Sequence, residues 1–302
     1  MKAVVFGNIT LDVICSTVNE VPRYESLAFD QVVVSPGGCG SNVAIGLCAL
    51  GQSTALVGRI GSDDASRLVE SYWQRVGLDT RYVQHVEGLP TGTSVGLIDQ
   101  DAQPRFIHTS GANKTLTAEA IDLEQLVREG AKSLHIAGFF VLPGVMDGSL
   151  VPVLSAAQRQ GLLTSLDVVR SPRMADPTPL WACLPHLDIF LCNAAEAMRI
   201  SGVDDPIATA QFLRQRGAQA VIVKLGREGC WLDHDAGTMR IAALQVKVTV
   251  DTTGAGDAFA AGLVAAILEG ANLPDACREG NVAGARVVEH LGAVSAWFEA
   301  RL

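Results

Sequence analysis

The 302-residue chain carries 23 Lys and Arg against 32 Asp and Glu, a formal net charge of −9, and is 48% hydrophobic but only 18% charged. Such a composition excludes a disordered chain and supplies ample apolar surface for a core that needs no disulfide or metal staple. The acidic balance without basic runs argues against nucleic acid or an anionic membrane as partner, and no apolar stretch reaches the roughly 18 residues of a membrane span.

In chain order, residues 2–6 read as a buried strand that opens onto Gly7-Asn8. A secretion signal would start similarly, but Gly7, Asn8 and Asp12 interrupt the apolar run, so a first strand in a cytoplasmic protein is expected. The seven cysteines are scattered singly, as suits buried thiols in a reducing compartment. Residues 13–15, 28–35 and 93–109 are β-branched runs with turn residues such as Asp101 and Pro104, and predict antiparallel strands. Residues 42–50 predict a helix stopped by Gly51, residues 53–57 a strand, and residues 64–76 a helix stopped by Gly77. Strands at 133–136, 162–167, 187–191 and 220–224 then alternate with helices near 147–160, 206–216, 255–269 and 274–290. The pattern predicts an α/β fold with a mostly parallel central sheet and helices on both faces. The early β segments, at about 13–35 and 93–109, read as a small sheet inserted into one domain spanning residues 1–302, since no repeat or linker marks a second domain.

Neither a P-loop nor a complete G-x-G-x-x-G after the first strand is present, which argues against P-loop nucleotidases and nicotinamide dehydrogenases. The strongest local signal is Asp251-Thr252-Thr253-Gly254-Ala255-Gly256-Asp257, where a β-rich run at 245–250 leads into small residues and then a helix. The N–H groups of Gly254, Ala255 and Gly256 at a helix N-terminus form an anion-binding arrangement. Helix-dipole preference alone accounts for an acid at Asp257. An acid beside an anion hole also suits a base that takes the hydroxyl proton while the donors hold a transferring phosphoryl group. A second signal is Gly37-Gly38 followed by Asn42 at a strand-to-helix junction, where a ligand can approach the main chain. Asp12, just past the first strand, could bind a sugar diol, although a turn carboxylate is the commoner occupant of such a place.

The ordered set Gly7-Asn8-x-x-x-Asp12, Pro36-Gly37-Gly38-x-x-x-Asn42, Asn193-Ala194-Ala195-Glu196 and Asp251 to Asp257 resembles the ribokinase-like (PfkB) carbohydrate kinases over nearly the whole chain. The resemblance implies a Rossmann-like body with a small β-sheet lid and ATP-dependent phosphorylation of a hydroxyl, usually a primary alcohol of a sugar or nucleoside. It implies Asp257 as general base, with the amides of Gly254, Ala255 and Gly256 as anion hole. Asn8, Asp12, Gly37, Gly38 and Asn42 would hold the acceptor. On the nucleotide side it implies Asn193, Lys224, Gly226, Gly254, Gly256 and Asn281, with Glu196 placing Mg²⁺ through water. Main-chain atoms of Asp251, Thr253, Val287, His290, Gly292 and Ser295 match a K⁺ site, and a homodimer through the lid is implied as well. One departure concerns the acceptor: the region after the mid-chain strand reads Gly138-Phe139-Phe140, without the acid that ribokinases carry there. The two rings could meet a planar acceptor or belong to the core, and Arg105 on the lid could reach an acceptor oxygen or stay solvated. A nucleoside kinase, or a catalytically silent sugar-binding relative, are the alternatives on the same scaffold.

Overall fold

The computed structural model describes residues 2–299. Its strands are β1 Ala3–Gly7, β2 Thr10–Ser16, β3 Gln31–Gly37, β4 Thr54–Gly61, β5 Val83–Val86, β6 Gly92–Ile98, β7 Pro104–Thr109, β8 Ser133–Ala137, β9 Leu163–Asp167, β10 Ile189–Asn193, β11 Ala220–Lys224, β12 Cys230–His234 and β13 Gly237–Ile241. The α-helices are α1 Cys39–Ala49, α2 Asp64–Val76, α3 Leu123–Arg128, α4 Leu150–Arg159, α5 Thr178–Cys183, α6 Ala194–Ser201, α7 Pro206–Arg214, α8 Ala255–Leu268, α9 Leu273–Val287 and α10 Ser295–Glu299.

Nine strands form a body sheet in the order β13-β12-β11-β10-β9-β8-β1-β4-β5, parallel from β11 to β5, with β12 and β13 as an antiparallel edge hairpin. The central strands read as unbroken apolar runs because both faces are covered. In β1, Ala3 and Val5 face one core while Val4 and Phe6 face the other, and β10 and β11 alternate in the same way. The first core is closed by α1, α8 and α9, the second by α4, α5 and α7. Helix α2 begins at Asp63, whose carboxylate accepts the Ser66 N–H at 2.9 Å, and ends at Gly77 in the left-handed region, as its sequence predicts.

The remaining strands form a separate sheet, β3-β2-β6-β7, which is the lid. It is not purely antiparallel, as expected from sequence: β2 and β6 pair in parallel, because both run outward from the body, one after β1 and the other after β5. The β-rich run at 245–250 forms no strand, since the N–H groups of Val250 and Asp251 donate to Val288 O, at 2.8 and 3.4 Å, rather than to a sheet. The β12–β13 hairpin escaped the sequence reading. Its signal is the turn Asp235-Ala236-Gly237, where Gly237 has φ +110°. Body strand order reverses around β1 and β8, and the crevice over their C-terminal ends is the expected place for a ligand.

Candidate active site

Backbone contact seats α1 directly on the end of β1. A Cβ on Gly40 would lie 2.6 Å from the Gly7 carbonyl carbon, and Gly38, at φ +83°, would meet Asn8 O at the same distance. The helix begins at Cys39, earlier than expected, and Asn8 Oδ1 accepts the Cys39 N–H at 3.0 Å. Asn8 therefore holds the helix start that borders the crevice. Asp12 lies beside it on β2, with its carboxylate in the space a side chain at Gly37 would need, 2.0 Å from the Cβ position. Asp12 Oδ1 accepts from Thr10 Oγ1 at 2.6 Å, Ser94 adds a second hydrogen bond, and burial raises the carboxyl's proton affinity.

Helix α8 is apolar all round and buried among the other helices, so its N-terminus is rigidly placed. Gly254 precedes it at φ +76°, and a Cβ there would lie 2.5 Å from that of Ala293. Asp257 stands in the first turn and accepts from Asn42 Nδ2 at 2.8 Å. One turn below that pair, Gly46 of α1 meets Ala261 of α8 so closely that a Cβ on the glycine would come within 2.8 Å of the alanine's. Both contacts sit four residues along their helices, so close packing below sets the polar contact above. The second Asn42 side-chain atom, Oδ1, is buried with no hydrogen-bond partner among the described residues. An unmade bond of that kind costs about 1–3 kcal/mol, which a ligand hydroxyl would recover.

Burial raises the Asp257 pKa to about 6; the charge of Asp167 adds to this, while Asn42, Lys224 and the Cys39 thiol oppose it. Asp167, at the end of β9, was not singled out from sequence. Its Oδ1 accepts the Gly138 N–H at 2.6 Å, and its Oδ2 meets His135 Nε2 at 3.2 Å. The other ring nitrogen of His135 meets Ser165 Oγ at 2.8 Å. The expected anion hole is partly self-engaged, because Ala255 N–H turns back to Thr252 O at 3.3 Å.

Among the residues expected to meet a nucleotide, Lys224 at the end of β11 reaches over the helix start, and a Cβ at Gly256 would lie 2.9 Å from its Nζ. The bare glycine thus leaves room for a cation above the helix N-terminus, a cradle that fits phosphate. Gly226 follows in the left-handed region at φ +58°. Asn193 and Glu196 form a reciprocal cap on α6: Asn193 Oδ1 accepts the Glu196 N–H at 2.9 Å, and Glu196 Oε2 accepts the Asn193 N–H at 2.8 Å. Glu196 is buried, and burial lifts its pKa to about 7 against the pull of Lys224, so a cation nearby would restore its charge. Asn281 donates to Ala242 O at 3.2 Å and so fixes the chain after β13. Asp251 clamps two loops: Oδ1 accepts from Thr253 N–H at 2.8 Å and Thr253 Oγ1 at 2.6 Å, and Oδ2 accepts from Gly292 N–H at 2.9 Å. That clamp holds Gly292 beside residues 251–253, and the Val250 and Asp251 N–H groups donate to Val288 O. Ser295 donates to Leu291 O at 2.7 Å. Phe139 and Phe140 are core residues, fully buried and in edge contact with each other at 5.2 Å between ring centroids. Arg105 is turned away from the crevice and donates to Val18 O and Asn19 O, at 2.7 and 2.6 Å.

The model of the pfkB family carbohydrate kinases matches residues 1–300. An uncharacterized sugar kinase of Archaeoglobus fulgidus is 29% identical over 258 residues, 82% of this chain and 96% of that protein. The ribokinase of Haemophilus influenzae is 26% identical over 299 residues, 96% of this chain and 93% of that protein. Among solved structures, the ribokinase of Arabidopsis thaliana complexed with ribose and ATP superposes with a TM-score of 0.81 at 25% identity, covering 97% of this chain and 94% of that one. With Asp257, Asn42 and the α8 N-terminus gathered over the sheet and a family match along nearly its whole length, the chain belongs to the pfkB family of carbohydrate kinases, phosphotransferases that act on sugar hydroxyls.

Proposed function

We propose that this protein is a cytoplasmic, ATP- and Mg²⁺-dependent kinase that transfers the γ-phosphoryl group to a hydroxyl, a primary alcohol, of a neutral sugar-type acceptor. The observation that carries this reading is the Asn42–Asp257 contact at the start of α8, with an orphaned acceptor on Asn42 facing the same place. Asp12 and Asn42 Oδ1 accept from acceptor hydroxyls, and the main chain at Gly37 and Gly38 lets the sugar lie close. Asp257 takes the proton of the attacking hydroxyl as its oxygen bonds to the γ-phosphorus and the bond to the ADP oxygen breaks. Lys224 and the amides at Gly254 and Gly256 hold the charge of the moving phosphoryl group. Asn193 and Glu196 would hold Mg²⁺ through water, and the ion would neutralise phosphate charge there.

A neutral acceptor is supported because the groups expected to meet it, Asp12 and Asn42 Oδ1, accept hydrogen bonds, while Arg105 is spent on main-chain carbonyls of the lid. We read the chain as one domain with the lid as an insertion, and K⁺ as held by the main chain of the two loops clamped by Asp251. Incubation with ATP and Mg²⁺ and a panel of ribose, fructose, 2-keto sugar acids and nucleosides is expected to release ADP with at least one neutral acceptor and far more slowly without any. Ligand binding with no ADP release across the panel would instead favour a silent sugar-binding relative.

The outer lid face supports a homodimer. Its cross-strand row Val34, Val13, Val95 and Ile107 is apolar throughout, and Ile107 is 71% exposed. Ile107→Asp is expected to convert the dimer to a monomer in sedimentation. A wild-type protein that sediments as a monomer would remove the lid interface from this reading.

A further inference from the structure

The chain passes between the body sheet and the lid four times, at residues 8–9, 37–39, 87–91 and 110–113. Main-chain groups at such a passage have left one ladder and not yet entered the next, so when buried they need partners from elsewhere. Ile9, at the first passage, is fully buried. Its N–H donates to Asn113 Oδ1 at 2.8 Å, and its carbonyl accepts from Asn113 Nδ2 at 2.7 Å. A primary amide carries the same donor and acceptor as a peptide group, so the Asn113 side chain stands in for a neighbouring strand. The same Nδ2 donates to Ser110 O at 2.9 Å, which ties the fourth passage to the first. Ala112 N–H donates to Pro90 O at 2.8 Å and ties in the third. A Cβ at Gly92 would lie 2.5 Å from Asn113 Nδ2 and 2.9 Å from Ile9 O, so the start of β6 is pressed against the same amide. Asn8 completes the junction by accepting the Cys39 N–H at the second passage.

We propose that Asn113 is the pivot of the lid, a positioning residue that acts through Ile9 on Asn8 and Asp12 and makes the four passages one joint. The proposal rests on the kinase reading and assigns the residue that aligns the acceptor with Asp257. Asn113 is buried, and its side chain is spent on main chain. Asp12 lies three residues beyond Ile9, roughly 10 Å along an extended chain, so a turn of about 6° at the joint moves it by about 1 Å. Lys224 and the start of α8 belong to the body and do not move with the joint. Loosening the joint therefore misplaces the acceptor and leaves the groups expected to meet ATP where they are.

The test uses the full chain as wild type, Asn113→Ala and Asn113→Asp, with ATP, Mg²⁺ and the acceptor of the panel that releases ADP fastest. Asn113→Asp keeps an acceptor for the Ile9 N–H and loses both donated bonds, so it is the milder change, and it is read alone if Asn113→Ala does not fold. Acceptor kcat/KM is expected to fall roughly 10²-fold in Asn113→Ala, the cost of a misplacement of about 1 Å, and less in Asn113→Asp. The KM of ATP is expected to stay at its wild-type value in both. Hydrogen exchange on the same proteins needs no acceptor: β2, β3, β6 and β7 are expected to exchange faster by one common factor, while β8 to β11 keep wild-type rates. Body strands that lose protection along with the lid, or faster exchange confined to β2, would overturn the pivot. So would a folded variant with wild-type acceptor kcat/KM, or one whose ATP KM rises as much as that of the acceptor. No ADP release with any acceptor would overturn the kinase reading, and the exchange pattern would then decide the pivot by itself.

Discussion

Replacing Asp257 by asparagine is expected to lower kcat by roughly 10²–10⁴-fold, the usual contribution of a positioned general base, while ATP still binds. The change is isosteric, and the new amide oxygen can still accept from Asn42 Nδ2, so the helix contact survives. Stability is expected to move the other way. Burial and the charge of Asp167 place the folded-state pKa of Asp257 at about 6, above the ordinary 3.8. Ionised Asp257 therefore costs the fold stability, a cost absent below the unfolded value and fully present once pH has risen through about 6. Asparagine removes it, so the variant should melt higher than the wild type at pH 8 and show little difference at pH 4. Activity needs the ionised form, so wild-type kcat/KM should fall as pH drops through about 6. A variant with near-wild-type kcat would end the general-base assignment, whatever its melting temperature.

Asp167→Ala is expected to produce the largest loss of stability among single changes at the crevice. The carboxylate is fully enclosed and accepts from the Gly138 main chain and contacts His135. Its removal leaves two buried polar groups unpaired at about 1–3 kcal/mol each, a fall of several degrees in the melting temperature. Asp167→Asn keeps an acceptor for the Gly138 N–H, deletes the charge and turns an amide NH2 toward His135 Nε2. Because that charge raises the Asp257 pKa, the acid limb of the kcat/KM profile should move to lower pH in Asp167→Asn. A loss of activity in Asp167→Asn with an unmoved acid limb would show that the two carboxylates do not interact.

The difference between what sequence made legible and what it did not is one of range. The start of α8 and the glycine junction before α1 could be read, although α1 begins at Cys39 rather than residue 42, because their constraints are local: adjacent glycines, a following helix and an acid in its first turn. The alternation of strand and helix was readable for the same reason, and it carried the body sheet with it. Asp167 and His135 were opaque because their pairing depends on the register of β8 with β9, where His135 lies opposite Ser165. A single acid closing the strand Leu163–Asp167 was the available hint. The parallel pairing of β2 with β6 was equally hidden, since it follows from where each strand leaves the body. Residues 245–250 have strand composition but no neighbouring strand to pair with, and composition alone could not reveal that.

The overlap of Asp12 with the space beside Gly37 has an evolutionary consequence. The two positions compete for one volume, so a side chain at 37 displaces the Asp12 carboxylate from the place it holds here. Substitution at 37 therefore carries its cost in the site rather than in the fold: descendants that lose Gly37 keep Asp12 only in another rotamer.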